Sequence, residues 1–423
     1  MSDQQRPRLR QVESFPVGEP DGQVLFALRD PEGFASPVVL PYAAAVLASL
    51  MDGSRTLDEI QQQFEQQFGQ KVGLADLERL IGQLEERCFL DSPRFRARWK
   101  AEIETYLNSR VRPAAHAGGA YAGDPDELRV QLAELFTCAE GPGSPGDYAA
   151  NGSSGRLCGV LSPHIDLHRG GPAFAWAYKK VVEESDADLF VIFGTAHNWM
   201  RNLFSVSRKH FETPLGTVET DLPFVSRLAA ALAAQPAGQD IDLFADELAH
   251  RQEHSIEFQS LFLQYLLGSR RPFKVVPILT GSFHEFVSSG IQPAESPQVT
   301  AFVAAVQAAA RQHKGRICYI SGGDLAHIGQ RFGDRALLDK HRLLEQSEDD
   351  RLLLEAACRA DAQAFFSHVA SQQDRSRICG LSPTYTMLQV MQPQRGEFLK
   401  YSQAVEQDGT SCVSFASLAF YDG

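Results

Sequence analysis

The sequence lacks the features that would place it outside a reducing, aqueous compartment. No two of its seven cysteines form a C-x-x-C pair, so no zinc knuckle or thioredoxin-type couple is written into it, and the odd count suits reduced thiols. No apolar run approaches the ~20 residues that span a bilayer. The opening MSDQQRPRLR also has no apolar signal core, so a soluble, cytoplasmic protein with no membrane partner is expected. Positive charge is scarce as well. Lys and Arg number 40 against 53 Asp and Glu, a formal charge of −13, which argues against a phosphate-backbone footprint and so against a nucleic-acid partner. What the 423 residues do contain is 43% hydrophobic side chains, enough for the cores of two or three domains.

Residues 22–42 read as two short extended segments, Gln23–Leu28 and Ser36–Leu40, joined by the turn Asp30-Pro31-Glu32-Gly33. Three helices follow. One runs from Tyr42 to Met51 and stops near Gly53. The next opens with the capping box Thr56-Leu57-Asp58-Glu59 and ends near Gly69, and the third carries Leu74, Leu77, Leu80, Ile81 and Leu84 at helical spacing. Cys88-Phe89-Leu90-Asp91 reads as a wing or short strand, and Arg94 to Leu107 as a connecting helix with a basic start. Residues 1–108 therefore make a small α+β, winged-helix-type domain. Through Leu50-Met51-Asp52-Gly53, Thr56-Leu57-Asp58-Glu59-Ile60 and Leu84-Glu85-Glu86-Arg87-Cys88-Phe89-Leu90 this domain resembles the PqqD-like family. The resemblance implies a strand edge and a helix that present a peptide; a generic winged helix or a dimerisation module fits the same pattern.

Beyond residue 108 the pattern changes. Arg156 to Ser162, Leu189 to Gly194, Phe273 to Thr280 and Ile317 to Ser321 are apolar and β-rich, and helical segments separate them. Such alternation predicts an α/β domain over residues 109–423, with a βαβ-type sheet covered by helices. The Gly-, Pro- and Ser-rich stretch 139–155 is expected to be a mobile loop.

Polar clusters stand where the apolar segments end, which is where α/β proteins place their sites. They are Ser162-Pro163-His164-Ile165-Asp166-Leu167-His168, Gly194-Thr195-Ala196-His197, His250-Arg251-Gln252-Glu253-His254-Ser255-Ile256-Glu257 and Gly323-Asp324-Leu325-Ala326-His327. Neutral imidazole is both a metal ligand and a general base near pH 7. The carboxylates of Asp166, Glu257 and Asp324 suit ligation or the orientation of a ligand. His254 and Glu257, three residues apart, share a helix face, which fits either an acid/base pair or a buried structural pair. Cys379 reads either as approaching the cleft or, as free cysteines usually are, as an inert core thiol, and Arg331 either as meeting an acidic ligand or, preferably, as an ion-pair partner of Asp334.

Taken in order, these clusters together with His116-Ala117-Gly118, Tyr121 and Ile378-Cys379-Gly380 resemble the MEMO family, and more closely its microbial members called AmmeMemoRadiSam system protein B. The resemblance covers about Val111 to Gly423. It implies a LigB/MEMO-like fold related to class III extradiol dioxygenases, a cleft for Fe(II) or another divalent metal, and a radical-SAM protein or a peptide as partner. Residue by residue it implies His164 and His197 as metal ligands and His254 as acid/base, with Asp324 and His327 flanking a third ligand. That third position is Ala326 here, and a methyl group binds no metal; Asp324, Asp166 or His254 is expected to substitute, and the turn after His164 adds Asp166 and His168 close to it. Three functions compete: a metal-dependent oxidoreductase, a non-catalytic peptide- or protein-binding module using the same cleft, and a zinc peptidase. The last rests on His250-Arg251-Gln252-Glu253-His254 as an H-x-x-E-H motif, and it leaves His164, His197 and Asp324 unexplained.

Overall fold

The computed structural model describes residues 6–17, 24–148 and 156–422, and the chain divides into two compact units, Met1–Asn108 and Ser109–Gly423. In the first unit, strands β1 (Glu13–Val17), β2 (Leu25–Arg29) and β3 (Val38–Pro41) form an antiparallel sheet with β2 in the middle. Sequence patterning misses β1 because its side chains are mostly exposed, so no buried alternation marks it. Helices α1 (Tyr42–Ser49), α2 (Leu57–Phe68), α3 (Leu74–Glu86) and α4 (Pro93–Asn108) follow. Ile60, Phe64, Leu77, Ile81 and Leu84 pack with Leu28 and Leu47 into the core. Among the described residues the segment expected as a wing makes a single isolated bridge, Leu90 to Leu9. Cys88 turns left-handed at φ 64° and the Phe89 N–H reaches back to the Leu84 carbonyl, a helix-ending turn that leaves no length for a strand.

The capping box of α2 forms as its sequence dictates. Thr56 Oγ1 accepts from the Glu59 N–H, and the Glu59 carboxylate accepts from the Thr56 N–H. Thr56→Ala is expected to weaken this first turn by about 1 kcal/mol. The Glu59 and Ile60 amides should then exchange hydrogen about five-fold faster, a change readable by mass spectrometry on the full chain.

In the second unit the elements run β4 (Val111–Arg112), α5 (Pro125–Thr137), β5 (Arg156–Ser162), α6 (Leu167–Glu184), β6 (Leu189–Thr195), β7 (Phe204–Val206), β8 (His210–Thr213) and β9 (Gly216–Val218). Then come α7 (Leu222–Ala233), α8 (His254–Leu267), β10 (Lys274–Thr280), α9 (His284–Ser289), α10 (Pro297–Arg311), β11 (Ile317–Gly322) and β12 (His327–Ile328). The chain continues with α11 (Lys340–Cys358), α12 (Ala362–Ser371), α13 (Leu381–Met391), β13 (Arg395–Val405) and β14 (Cys412–Asp422). The main sheet has the order β12-β14-β5-β11-β6-β10-β7, with β13 also paired to β14. β5, β11, β6 and β10 are parallel to one another, whereas β14 and β7 run antiparallel on either side of them.

Period-2 alternation divides the side chains of this sheet between two cores. Along β6, Leu189, Val191 and Phe193 face a core shared with α7, α10, α12 and α13, while Phe190 and Ile192 face one shared with α5, α6 and α8. Strands buried on both faces are why the four parallel segments read as continuous apolar runs. Of the stretch expected to be loose, residues 149–155 lie outside the described residues. The part up to residue 148 is irregular and tied to α6 through Trp176 to the Glu140 carbonyl and Lys179 to the Pro142 carbonyl. Among the described residues no helix is long and apolar enough to cross a membrane.

Candidate metal centre

The carboxyl ends of three adjacent parallel strands carry the site. β5 leads into His164, β6 into His197 and β11 into Asp324, while the N-terminus of α8 supplies Glu253 and His254. Close approach depends on missing side chains. A Cβ on Gly194 would lie 2.5 Å from Ser255 Oγ and 2.7 Å from Ile256 Cγ1, so only glycine lets α8 settle against the end of β6. A Cβ on Gly323 would lie 2.6 Å from the Gly380 Cα, and one on Gly380 2.5 Å from the Asp324 carbonyl oxygen. That contact brings in Cys379, which stands just ahead of α13.

Among the described residues, ligand atoms converge within 4.8 Å in two groups that share one imidazole: His164, His197 and His254, and His164, Asp324 and Cys379. The rings of His197 and His254 stack at 4.6 Å between centroids, and each lies about edge-on to His164, at 4.9 and 5.1 Å. Cys379 Sγ is 3.2 Å from His164 Nε2, and Asp324 Oδ2 is 3.7 Å from the same nitrogen.

Hydrogen bonds set the tautomers. His164 Nδ1 lies 2.9 Å from the Gly322 carbonyl oxygen, and a carbonyl only accepts, so Nδ1 carries the proton and Nε2 the lone pair. His197 Nδ1 lies 3.0 and 3.1 Å from the two Glu253 oxygens, which makes Nδ1 the donor there too. An imidazole whose far nitrogen donates to a carbonyl or carboxylate is the usual form of a metal-ligating histidine. Each group therefore offers a donor set that fits a divalent ion, three imidazoles in one and an imidazole, a carboxylate and a thiol in the other, with His164 common to both.

Burial and charge act together on the titrations. Burial, reinforced by neighbouring His197, pushes His164 down to about 3. Burial also pushes His254 well below its ordinary value, and the Glu253 carboxylate only partly offsets this. For His197 burial acts downward too, but the Glu253 charge outweighs it and the net shift is upward. Glu253 is opposed by burial and held ionised by His197 and His254, so its pKa falls. Burial lifts Asp324 to about 6 and the Cys379 thiol well above its usual range.

Other residues singled out from the sequence fall elsewhere. Asp166, one of the three expected substitute ligands, caps α6 instead: its carboxylate accepts from Arg169 N–H and, at 2.6 Å, from Arg169 Nε. Glu257 does not serve His254. It is fully buried against Arg112, the Tyr121 hydroxyl and the N–H groups of Ala115 and His116. Burial works against its charge and the Arg112 guanidinium outweighs it, holding the carboxyl below the usual range. His327 Nδ1 lies between the carbonyls of Leu325 and Arg377, at 3.2 and 3.1 Å. Ala326 is in the hydrophobic core, with its N–H bonded to Ser414 Oγ. His250 is buried, with Nε2 on Ser205 Oγ, and stands outside both ligand groups, while Glu253 holds His197. This geometry removes the H-x-x-E-H zinc arrangement. Arg331 approaches Glu406 rather than Asp334, which pairs with Arg377.

Cys379 and Glu253 are the site residues that the sequence hides. The thiol is 215 positions from His164 and follows no strand. Its local signal was the signature Ile378-Cys379-Gly380, whose glycine gains its meaning from a partner glycine 57 positions earlier.

A mixed sheet with a four-stranded parallel centre, helices on both faces and a histidine cleft at the carboxyl ends of the parallel strands defines an α/β protein with a candidate metal site. Residues 112–419 match the family model described as Memo-like protein, and the chain belongs to that family. It is similar to a MEMO1 family protein of Aquifex aeolicus, 27% identical over 427 residues, with 98% of this chain and all of the relative covered. Both units therefore take part in that likeness. It is 27% identical to a MEMO1 family protein of Thermus thermophilus over 87% of this chain and 99% of the relative. A third MEMO1 family protein, from Methanopyrus kandleri, is 29% identical over 318 residues, 74% of this chain and 99% of the relative.

Proposed function

We propose that the second unit is a metal-dependent catalytic domain that holds one divalent ion, ferrous iron by the family resemblance, at His164, the imidazole common to the two ligand groups, with His197 drawn from one group and Cys379 from the other. The observation that carries this reading is the pair of anchored Nδ1 protons, on Gly322 and on Glu253, which leave two Nε2 lone pairs for a metal beside an Sγ 3.2 Å from one of them. Cys379 answers the alanine at position 326, since a thiolate delivered from another loop replaces the missing ligand. A divalent ion so held supplies Lewis acidity and, if it is iron, redox chemistry with oxygen. Around it, Glu253 orients His197 and keeps its charge. His254, neutral at pH 7 because burial opposes its protonation, is placed to accept a proton from a bound substrate.

Metal analysis after anaerobic purification tests this reading. Wild-type protein and Asp166→Ala should carry about one divalent ion per chain, and His164→Ala and His197→Ala should carry none. Equal metal content in all four overturns it.

A second use of the same cleft is favoured by Trp199, which is 85% exposed two residues beyond His197. An exposed tryptophan is the kind of anchor that protein interfaces are built on, and one so near His197 in sequence supports a peptide or a radical-SAM enzyme as partner. For the first unit, a PqqD-like role in recruiting a peptide is supported by its outer strand β3, where Val39 is exposed. Binding of a peptide to the full chain that is lost in Val39→Asp, but kept in Trp199→Ala, would place recruitment on the first unit.

A further inference from the structure

Resting on the metal-centre reading, we propose that Arg377 is a positioning residue whose ion pair with Asp334 fixes a strained strap, residues 373–379, that delivers the Cys379 thiol to His164. No regular element holds Cys379. It lies between α12 and α13, in a segment where Gln373, Asp374 and Arg377 adopt φ of 53°, 48° and 53°. L side chains rarely take up this left-handed backbone, and such turns persist only where the surroundings over-determine them.

The ties are specific. The Asp374 carboxylate accepts from the Ile378 N–H at 2.8 Å. Ser376 accepts from the His327 N–H through its carbonyl, at 2.7 Å, and donates its hydroxyl to Gln346 Oε1, also at 2.7 Å. Arg377 is held three ways: Nη1 donates to the His327 carbonyl at 3.0 Å, Nη2 to Asp334 Oδ1 at 2.8 Å, and its own carbonyl faces His327 Nδ1 at 3.1 Å. The other Asp334 oxygen accepts from the Gly329 N–H at 2.7 Å. One guanidinium therefore laces the strap to the 327–334 loop.

At the cleft end, Thr195 Oγ1 donates to the Cys379 carbonyl at 3.0 Å and the Gly380 N–H donates to the Asp324 carbonyl at 2.8 Å. With both ends fixed, the thiol has one place to go. The task suits arginine, because a planar fork addresses two acceptors at once whereas an ammonium is a single point of charge. His327, which stands next to the vacated ligand position in sequence, acts through the strap on this proposal.

The test uses Co(II) as probe on the full chain, because a thiolate ligand adds a sulfur-to-cobalt charge-transfer band that imidazoles do not. Wild-type protein should show the band, and Cys379→Ser should lose it. Arg377→Ala should show a weakened band and about 10–100-fold lower Co(II) affinity, with Arg377→Lys partly restoring both. Circular dichroism should show each variant folded. If Arg377→Ala does not fold, Asp334→Asn breaks the same anchor while leaving an oxygen for Gly329, and the same loss is expected. Wild-type band and affinity in a folded Arg377→Ala or Asp334→Asn overturns this proposal alone. Wild-type protein that takes up no Co(II) overturns the metal-centre reading and this proposal with it.

Discussion

Arg112→Ala is expected to lower the stability of the second unit by about 3–5 kcal/mol at pH 7, the usual result of leaving one member of a buried ion pair alone. Arg112 and Glu257 are both fully buried. The guanidinium also donates to the carbonyls of His250 and Glu253, each at 2.8 Å, and lies 5.2 Å from the centre of the Phe211 ring. Its removal leaves a buried carboxylate with no cation and three carbonyls, counting Pro113, without their donor. Hydrogen exchange of the β6 and β11 amides at pH 7 should report the loss, because those strands open only with the unit as a whole. Arg112→Lys should recover part of it, since an ammonium restores the charge but not the fork.

The pH dependence of that pair has a definite sign. Glu257 is depressed below the ordinary carboxylate value when folded, so its contribution is full above the unfolded pKa of about 4.3 and is lost as pH falls through the lower folded value. The deficit of Arg112→Ala should therefore be largest at neutral pH and shrink in acid, where the orphaned carboxyl takes up a proton. A deficit that grows in acid would sink this account of the pair.

Glu253→Gln is expected to cost about 10–100-fold in metal affinity with the fold intact. The carboxylate accepts from the His197 N–H and from the Ser255 N–H, both at 2.9 Å, and from His197 Nδ1. An amide keeps the shape, but it carries no charge and offers one acceptor oxygen where two are used. His197 then loses both its orientation and the field that makes Nε2 a strong donor. Isothermal titration with Co(II) against wild-type protein measures the loss, and unchanged affinity would reduce Glu253 to a helix cap.

Much of the scaffold was legible because parallel strands buried on both faces advertise themselves. β5, β6, β10 and β11 lie within a residue of the apolar runs that predicted them, and His164, His197 and Asp324 follow directly from where those runs stop. Short-range chemistry was legible too, as the box at Thr56 shows, although Asp166 misleads for the same reason: a carboxylate three residues before an arginine looks the same in sequence whether it binds metal or caps a helix. The remainder was not local. Cys379 reaches His164 only because two glycines 57 positions apart touch, and Arg112 meets Glu257 across 145 residues with no periodicity to signal it. Glu253 lay inside a motif whose familiar meaning concealed its actual partner.

The order of strands in the sheet has a consequence for how the protein is made. β5, which carries His164, lies between β11 and β14, so a ribosome releases its neighbours only after residues 322 and 422 have been synthesised. The thiol likewise emerges 215 residues after the first histidine. A nascent chain therefore exposes lone imidazoles long before it has a cavity to put them in. On the metal-centre proposal, an ion would be taken up by the finished sheet rather than by the growing chain.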